Sequence, residues 1–155
     1  MTRVYVDVDA ATITGSPAAV GSRARGSTGG ASSAGGAIAS AARSAPPDPA
    51  AVRSLQFLRD AGHRVVLVTP DGLPAPAALR DVSDEVLDEV PAVPPERAWY
   101  LTAEVERCTG SSARLRTVLI GAAPAAGSIH RCDAVARDVR AAALELLASE
   151  AMPTR

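Results

Sequence analysis

Arg3-Val4-Tyr5-Val6-Asp7-Val8-Asp9-Ala10 is the stretch that decides the fold. Val4, Val6 and Val8 alternate with Tyr5 and Asp7, and β-branched side chains suit a pleated strand. Asp7 and Asp9 share a parity, so both project to one side if the extended conformation persists. Carboxylates are depleted from strands and disfavoured in a sheet core, so the pair marks where the strand leaves the sheet. In open α/β sheets, sites form just outside the carboxyl ends of the strands. One stretch therefore proposes a fold class and a site together.

Downstream, Asp48 and Pro49 open a helix, with Asp48 as N-cap and Pro49 in the first turn. Val52, Leu55 and Leu58 form its apolar stripe, flanked by Ala51 and Ala61, and Gly62 takes the C′ position. Val65-Val66-Leu67-Val68 then predicts a strand covered on both faces, ending at Thr69. A strand, a helix and a strand in that order predict a right-handed crossover between adjacent strands. Between the first strand and this helix, residues 18–47 are rich in Gly, Ser and Ala and read as a low-complexity flexible insert. They contain neither GxGxxG nor GxxxxGK[ST], so they do not read as a phosphate loop.

Prolines break up residues 70–97, leaving room for short helical turns over 77–79 and 83–90, the latter capped by Ser83. Ala98-Trp99-Tyr100-Leu101 predicts a third strand ending at Thr102, followed by a weak helix over 104–113. Thr117-Val118-Leu119-Ile120 predicts a fourth strand, closed by Gly121, before a loop over 122–129. Asp133 is the expected cap of a last helix with Val135, Val139, Ala143, Leu146 and Leu147 on one face. This alternation predicts an α/β fold: a single three-layer, Rossmann-like domain over residues 1–155, with a mainly parallel sheet and no substantial cap domain.

Composition narrows the functions. Aromatics are 3% of 155 residues, so the core is aliphatic. The net charge of −1 leaves no electrostatic footprint for nucleic acid or an anionic membrane. No apolar run approaches the roughly 20 residues of a membrane span, and no signal peptide precedes the first strand. The expectation is a cytoplasmic protein. All 16 basic residues are arginine, which excludes lysine-based phosphate clamps and Schiff bases. Cys108 and Cys132 are isolated, do not form a CxxC pair and predict no disulfide framework. His130, Cys132 and Asp133 are close in sequence, but a metal there would need further ligands, and ordinary packing and capping is the simpler reading. Trp99 and Tyr100 read as core, His63 as surface, and the arginines as solvated helix faces.

These residues resemble the haloacid dehalogenase (HAD) superfamily. VYVDVDA (4–10) is similar to its first motif, an apolar strand running into Asp-x-Asp. LQFLRDAGHRVVLVTP (55–70) is similar to its second, a strand ending in Thr or Ser. WYLTAEVERCTGSSARLRTVLIG (99–121) and CDAVARDVRAAALELLA (132–148) resemble its closing portion. The resemblance implies Mg²⁺-dependent phosphoester hydrolysis of a small phosphorylated molecule through an aspartyl-phosphate. Asp7 would then be the nucleophile, Asp9 the general acid and base, and Thr69 a phosphate ligand. Arg97 stands by position for the motif III cation. Mg²⁺ would be held by Asp7, the main-chain carbonyl of Asp9 and an acidic fourth motif. The chain departs from the family there: Ala103 takes the expected Asp position and Glu104 follows one residue later. Two alternatives stand beside this reading. One is a catalytically degenerate HAD-like domain acting as a binding module. The other is a receiver-like phosphoacceptor, which would place its Asp on a later strand and use a lysine.

Deleting residues 22–44 is expected to leave the melting temperature within a few degrees of the full chain by calorimetry, since a segment so poor in large apolar groups adds little burial; a large fall would make the insert structural.

Overall fold

The computed structural model describes residues 1–13, 45–69, 73–108, 110, 112–124 and 131–152. Nearly all of the insert expected at 18–47 lies outside the described residues, as does His130. Six strands form one sheet: β1 (Arg3–Asp7), β2 (Arg64–Val68), β3 (Glu85–Leu87), β4 (Ala98–Thr102), β5 (Leu115–Ile120) and β6 (Ala134–Ala136). Every pairing is parallel, and the order is β3-β2-β1-β4-β5-β6. Among the described residues three helices accompany them: α1 (Pro49–Asp60), α2 (Ala77–Asp81) and α3 (Val139–Ala151). This is the α/β architecture expected, consistent with a three-layer Rossmann-like domain, and no cap domain stands among the described residues. No described helix is long and apolar enough to cross a membrane.

The period of the strands sorts their side chains onto two faces. Val4 and Val6 of β1, Val65 and Leu67 of β2, Trp99 and Leu101 of β4, and Val118 and Ile120 of β5 share one core. That core receives Leu55 and Leu58 of α1, Leu79 of α2, and Val139, Ala142 and Leu146 of α3. Tyr5, Val66, Val68, Tyr100 and Leu115 form a second cluster from the intervening positions. Asp7 has the parity of Tyr5, and Thr102 that of Tyr100, so the carboxylate and the hydroxyls near it belong to this second face. The helices end as their sequences dictate. Asp48 accepts the Ala50 N–H at 3.1 Å, and Gly62 leaves α1 at φ +92°, where a side chain would be strained.

Several expectations are corrected. Residues 83–90 hold β3 rather than a helical turn, and residues 132–138 hold β6 before α3 begins. Both are three-residue edge strands with an exposed valine, Val86 or Val135, too short to show a period. What fixes them is an aspartate just upstream. Asp84 donates its N–H to the Val65 carbonyl (2.8 Å) and accepts the Val65 N–H on its carboxylate (3.0 Å). Asp133 does the same to Thr117, at 2.8 and 2.7 Å. Asp133 is therefore a strand clamp, and the cap of α3 is Asp138, which accepts the Ala141 N–H at 2.7 Å. In place of the helix expected over 104–113 stands a single 3₁₀ turn, Val105–Arg107. Cys108, which ends that turn, is joined to Cys132 in a disulfide, against the expectation of two isolated thiols. His63 is buried rather than on the surface, with Nε2 3.5 Å from Glu150 Oε2.

Leu101 is fully buried in a central strand, so Leu101→Ala is expected to cost about 2–5 kcal/mol in denaturant unfolding. Asp84→Ala and Asp133→Ala each orphan an amide and are expected to cost about 1–3 kcal/mol by the same measurement.

Candidate functional site

The strand order reverses direction between β1 and β4, and it is outside the carboxyl ends at such a switch point that open α/β sheets bind ligands. Asp7 is the last residue of β1. The extended backbone stops there, and a 3₁₀ turn over Val8–Thr12 follows. Asp9 therefore does not continue the parity of Asp7; it is carried around the turn, where its carbonyl accepts the Thr12 hydroxyl at 2.7 Å. On the neighbouring strand Thr102 Oγ1 accepts the Glu104 N–H at 3.1 Å. This local turn brings Glu104 beside the end of β1, while Ala103 packs against the first-face core.

A pocket of about 70 Å³ lies here, lined among others by Asp7, Asp9, Thr69, Glu104 and Arg107. At about 10–15 Å³ of such volume per water, it takes a few waters or one small group. Four of the five residues expected from the sequence thus meet: Asp7, Asp9, Thr69 and Glu104. Arg97 does not join them. Its carbonyl accepts the Arg3 N–H at 3.2 Å, at the amino edge of the sheet. The length of β4 separates it from the pocket.

The guanidinium at the carboxyl edge belongs instead to Arg107. Its Nη1 lies 3.2 Å from Asp7 Oδ1 and its Nε 2.7 Å from Glu104 Oε2. The Tyr100 hydroxyl donates to the Asp7 carboxylate, 2.9 and 3.0 Å from its two oxygens. Tyr100 pairs in register with Tyr5, two residues before Asp7, and the ring spans that stride of roughly 6.6 Å. Thr69 lines the pocket, and its Oγ1 makes only a weak contact, 3.5 Å from the Leu87 carbonyl.

Both Tyr100 and Arg107 escape a reading made on single motifs. Tyr100 looks like core, and its ring is core. The available signals were its shared parity with Thr102 and the Glu104-x-x-Arg107 spacing, which sets opposite charges three residues apart just past a strand end.

Asp7 is 3% exposed. Burial pushes its carboxyl above the ordinary 3.8, and the hydrogen bonds from Thr102 and Tyr100 and the charge of Arg107 pull it back only in part. Burial, then the adjacent carboxylate, pushes the Tyr100 phenol above its usual range. For Arg107 burial is the largest influence and acts downward, but Tyr100, Asp7 and Glu104 together outweigh it and hold the guanidinium charged.

The implied Mg²⁺ can be tested against these side chains. The ion requires near-octahedral oxygen ligands and keeps several waters. Among the described residues no three His, Cys, Asp or Glu side chains converge to hold a metal. Asp7 and Glu104 are both bound to Arg107, and the Asp9 carbonyl is taken by Thr12. As arranged, the residues do not fit the ion; the positive charge between the carboxylates is a guanidinium.

Asp7 supplies a signed pH dependence. Because its folded pKa is raised, the native state holds this proton longer than the unfolded chain does. The resulting stability is full below 3.8 and is lost as pH rises through the elevated value. The asparagine of Asp7→Asn does not titrate. Chemical denaturation across pH is therefore expected to show wild type gaining on Asp7→Asn toward acid and losing ground toward neutrality; the reverse slope would mean that Arg107 and Tyr100 outweigh burial. No model of a known protein family matches this chain and no curated protein matches it, so a functional reading rests on this geometry.

Proposed function

We propose that the chain is a catalytically degenerate HAD-like domain whose carboxyl-edge pocket binds a small ligand instead of hydrolysing a phosphoester. The observation that carries this is Arg107 spanning Asp7 and Glu104 while the Tyr100 hydroxyl lies on both oxygens of Asp7. A nucleophilic carboxylate needs an oxygen free to attack in line, and a phosphoryl group needs positive charge to approach it. Here the cation that lines the pocket among the described residues is already bound to two carboxylates. Among the described residues Asp7 and Glu104 share the guanidinium of Arg107, two carboxylates to one cation, so this pair suits a small ligand that brings hydrogen-bond donors or positive charge. A phosphorylated molecule, the class that the resemblance implies, is the poorer match.

A second reading, Mg²⁺-dependent hydrolysis, is favoured by the convergence of Asp7, Asp9, Thr69 and Glu104 on one pocket. In it Asp7 and Glu104 would have to be freed of Arg107 to hold a divalent ion, which would supply the charge that lets a phosphoryl group approach. The cytoplasmic location expected from the sequence belongs to this proposal too, and it gives the disulfide a meaning: in a reducing compartment such bonds are usually transient and redox-sensing.

The test is a panel of phosphate monoesters, with and without Mg²⁺, on wild type and Asp7→Asn. The expected result is equal background rates in all arms, together with a thermal shift from a small diamine that inorganic phosphate does not produce. Turnover that requires both Mg²⁺ and Asp7 would replace this reading with the hydrolase.

A further inference from the structure

We infer that the Cys108–Cys132 disulfide is a reversible thiol-exchange site whose redox state sets the hold of Arg107 on the pocket carboxylates. The inference rests on the reading of Arg107 given above and adds a regulator to it.

Three observations carry it. The turn Val105–Arg107 has no fully buried residue, so apolar packing holds it only weakly. Its main-chain bonds are local: Arg107 N–H to the Glu104 carbonyl and Cys108 N–H to the Val105 carbonyl, each 3.1 Å. The disulfide begins at the next residue and ends at Cys132. Cys132 immediately precedes Asp133, whose two-bond clamp on Thr117 fastens that end to β5. The turn leaves β4 on one side, and the disulfide thus gives it a second covalent tie, to the edge of β5, next to the residue that pairs with Asp7 and Glu104.

The reductant is a cellular dithiol. Its thiolate attacks the sulfur of Cys132, the less buried of the pair, forming a mixed disulfide and expelling the Cys108 thiolate, which takes up a proton. The second thiol of the reductant then attacks the mixed disulfide, releasing Cys132 as a thiol. The protein gains two electrons and two protons, and the dithiol leaves as its own disulfide. Once untied, the turn is held by its local bonds and by ion pairs in which Arg107 is partly exposed, with 28% of its side-chain surface accessible. Such contacts open readily. In the oxidised chain Arg107 closes the carboxylate pair; in the reduced chain it swings away and the pocket offers Asp7 and Glu104 to a ligand.

The experiment follows the Arg107 Nε–H proton by NMR in the full chain, oxidised and after treatment with a dithiol, with alkylation and mass spectrometry counting the thiols. A Cys108→Ser/Cys132→Ser chain serves as a permanently open control. The expected result is a protected Nε–H in the oxidised protein whose exchange accelerates roughly tenfold or more on reduction, with the amides of β1, β4 and β5 unchanged and the double variant matching the reduced protein. If the Nε–H stays equally protected after reduction, the disulfide does not control Arg107 and the inference fails. If the strand amides lose protection together with it, the bond holds the fold and the inference also fails. If the Nε–H is unprotected even when oxidised and is insensitive to Glu104→Gln, the ion pairs themselves are absent, and the binding-module reading falls with the switch.

Discussion

A carboxylate at the end of a buried central strand has to be compensated by protein groups, because water reaches it poorly. Asp7 is in that position, and much of the carboxyl edge is arranged around it. The strand ends where it does because the next residues turn away in a 3₁₀ bend. Tyr100 reaches along the sheet to supply one hydrogen bond, and Arg107 reaches back from beyond β4 to supply charge. Glu104, turned toward the site by Thr102, shares that guanidinium. Removing either compensating group would leave a buried anion short of partners, a costly state.

The same dependence explains why the site looks half familiar. Acidic side chains at this switch point suit chemistry that needs a cation, and here a side chain brings the cation along. A fixed guanidinium differs from a bound ion: it occupies both carboxylates at once, has no open coordination position and activates no water. On the binding reading proposed above, a pocket built this way would discriminate by shape and hydrogen bonding and contribute little polarisation.

Much of the fold was legible because long-range order followed strong local patterns. β1, β2, β4 and β5 carry four or more apolar residues or strict alternation, α1 has its Asp48 cap, and the adjacency of β1 and β2 followed from a short crossover rule. The outer strands were not legible, since three residues cannot display a period. The helical expectation over 104–113 failed because the charged and small residues there favour no structure strongly, and the segment is joined by a disulfide to a residue 24 positions away. In the site, the four residues named from motif and strand-end position are all present. Arg97 was chosen by order along the chain, which does not tell which end of a strand a residue occupies. Arg107 becomes visible only when the turn after β4 is known.

The paired aspartate clamps have a consequence for how the rim of this sheet tolerates change. Glu85-Val86-Leu87 and Ala134-Val135-Ala136 differ in charge and bulk, yet they play the same part. Each outer ribbon is aligned by an upstream carboxylate, so its exposed middle position, Val86 or Val135, is released to drift in composition, while Leu87 and Ala136 stay packed against the core. The outward face of the rim can diversify while the aspartate on each side keeps the β-layer from sliding out of step.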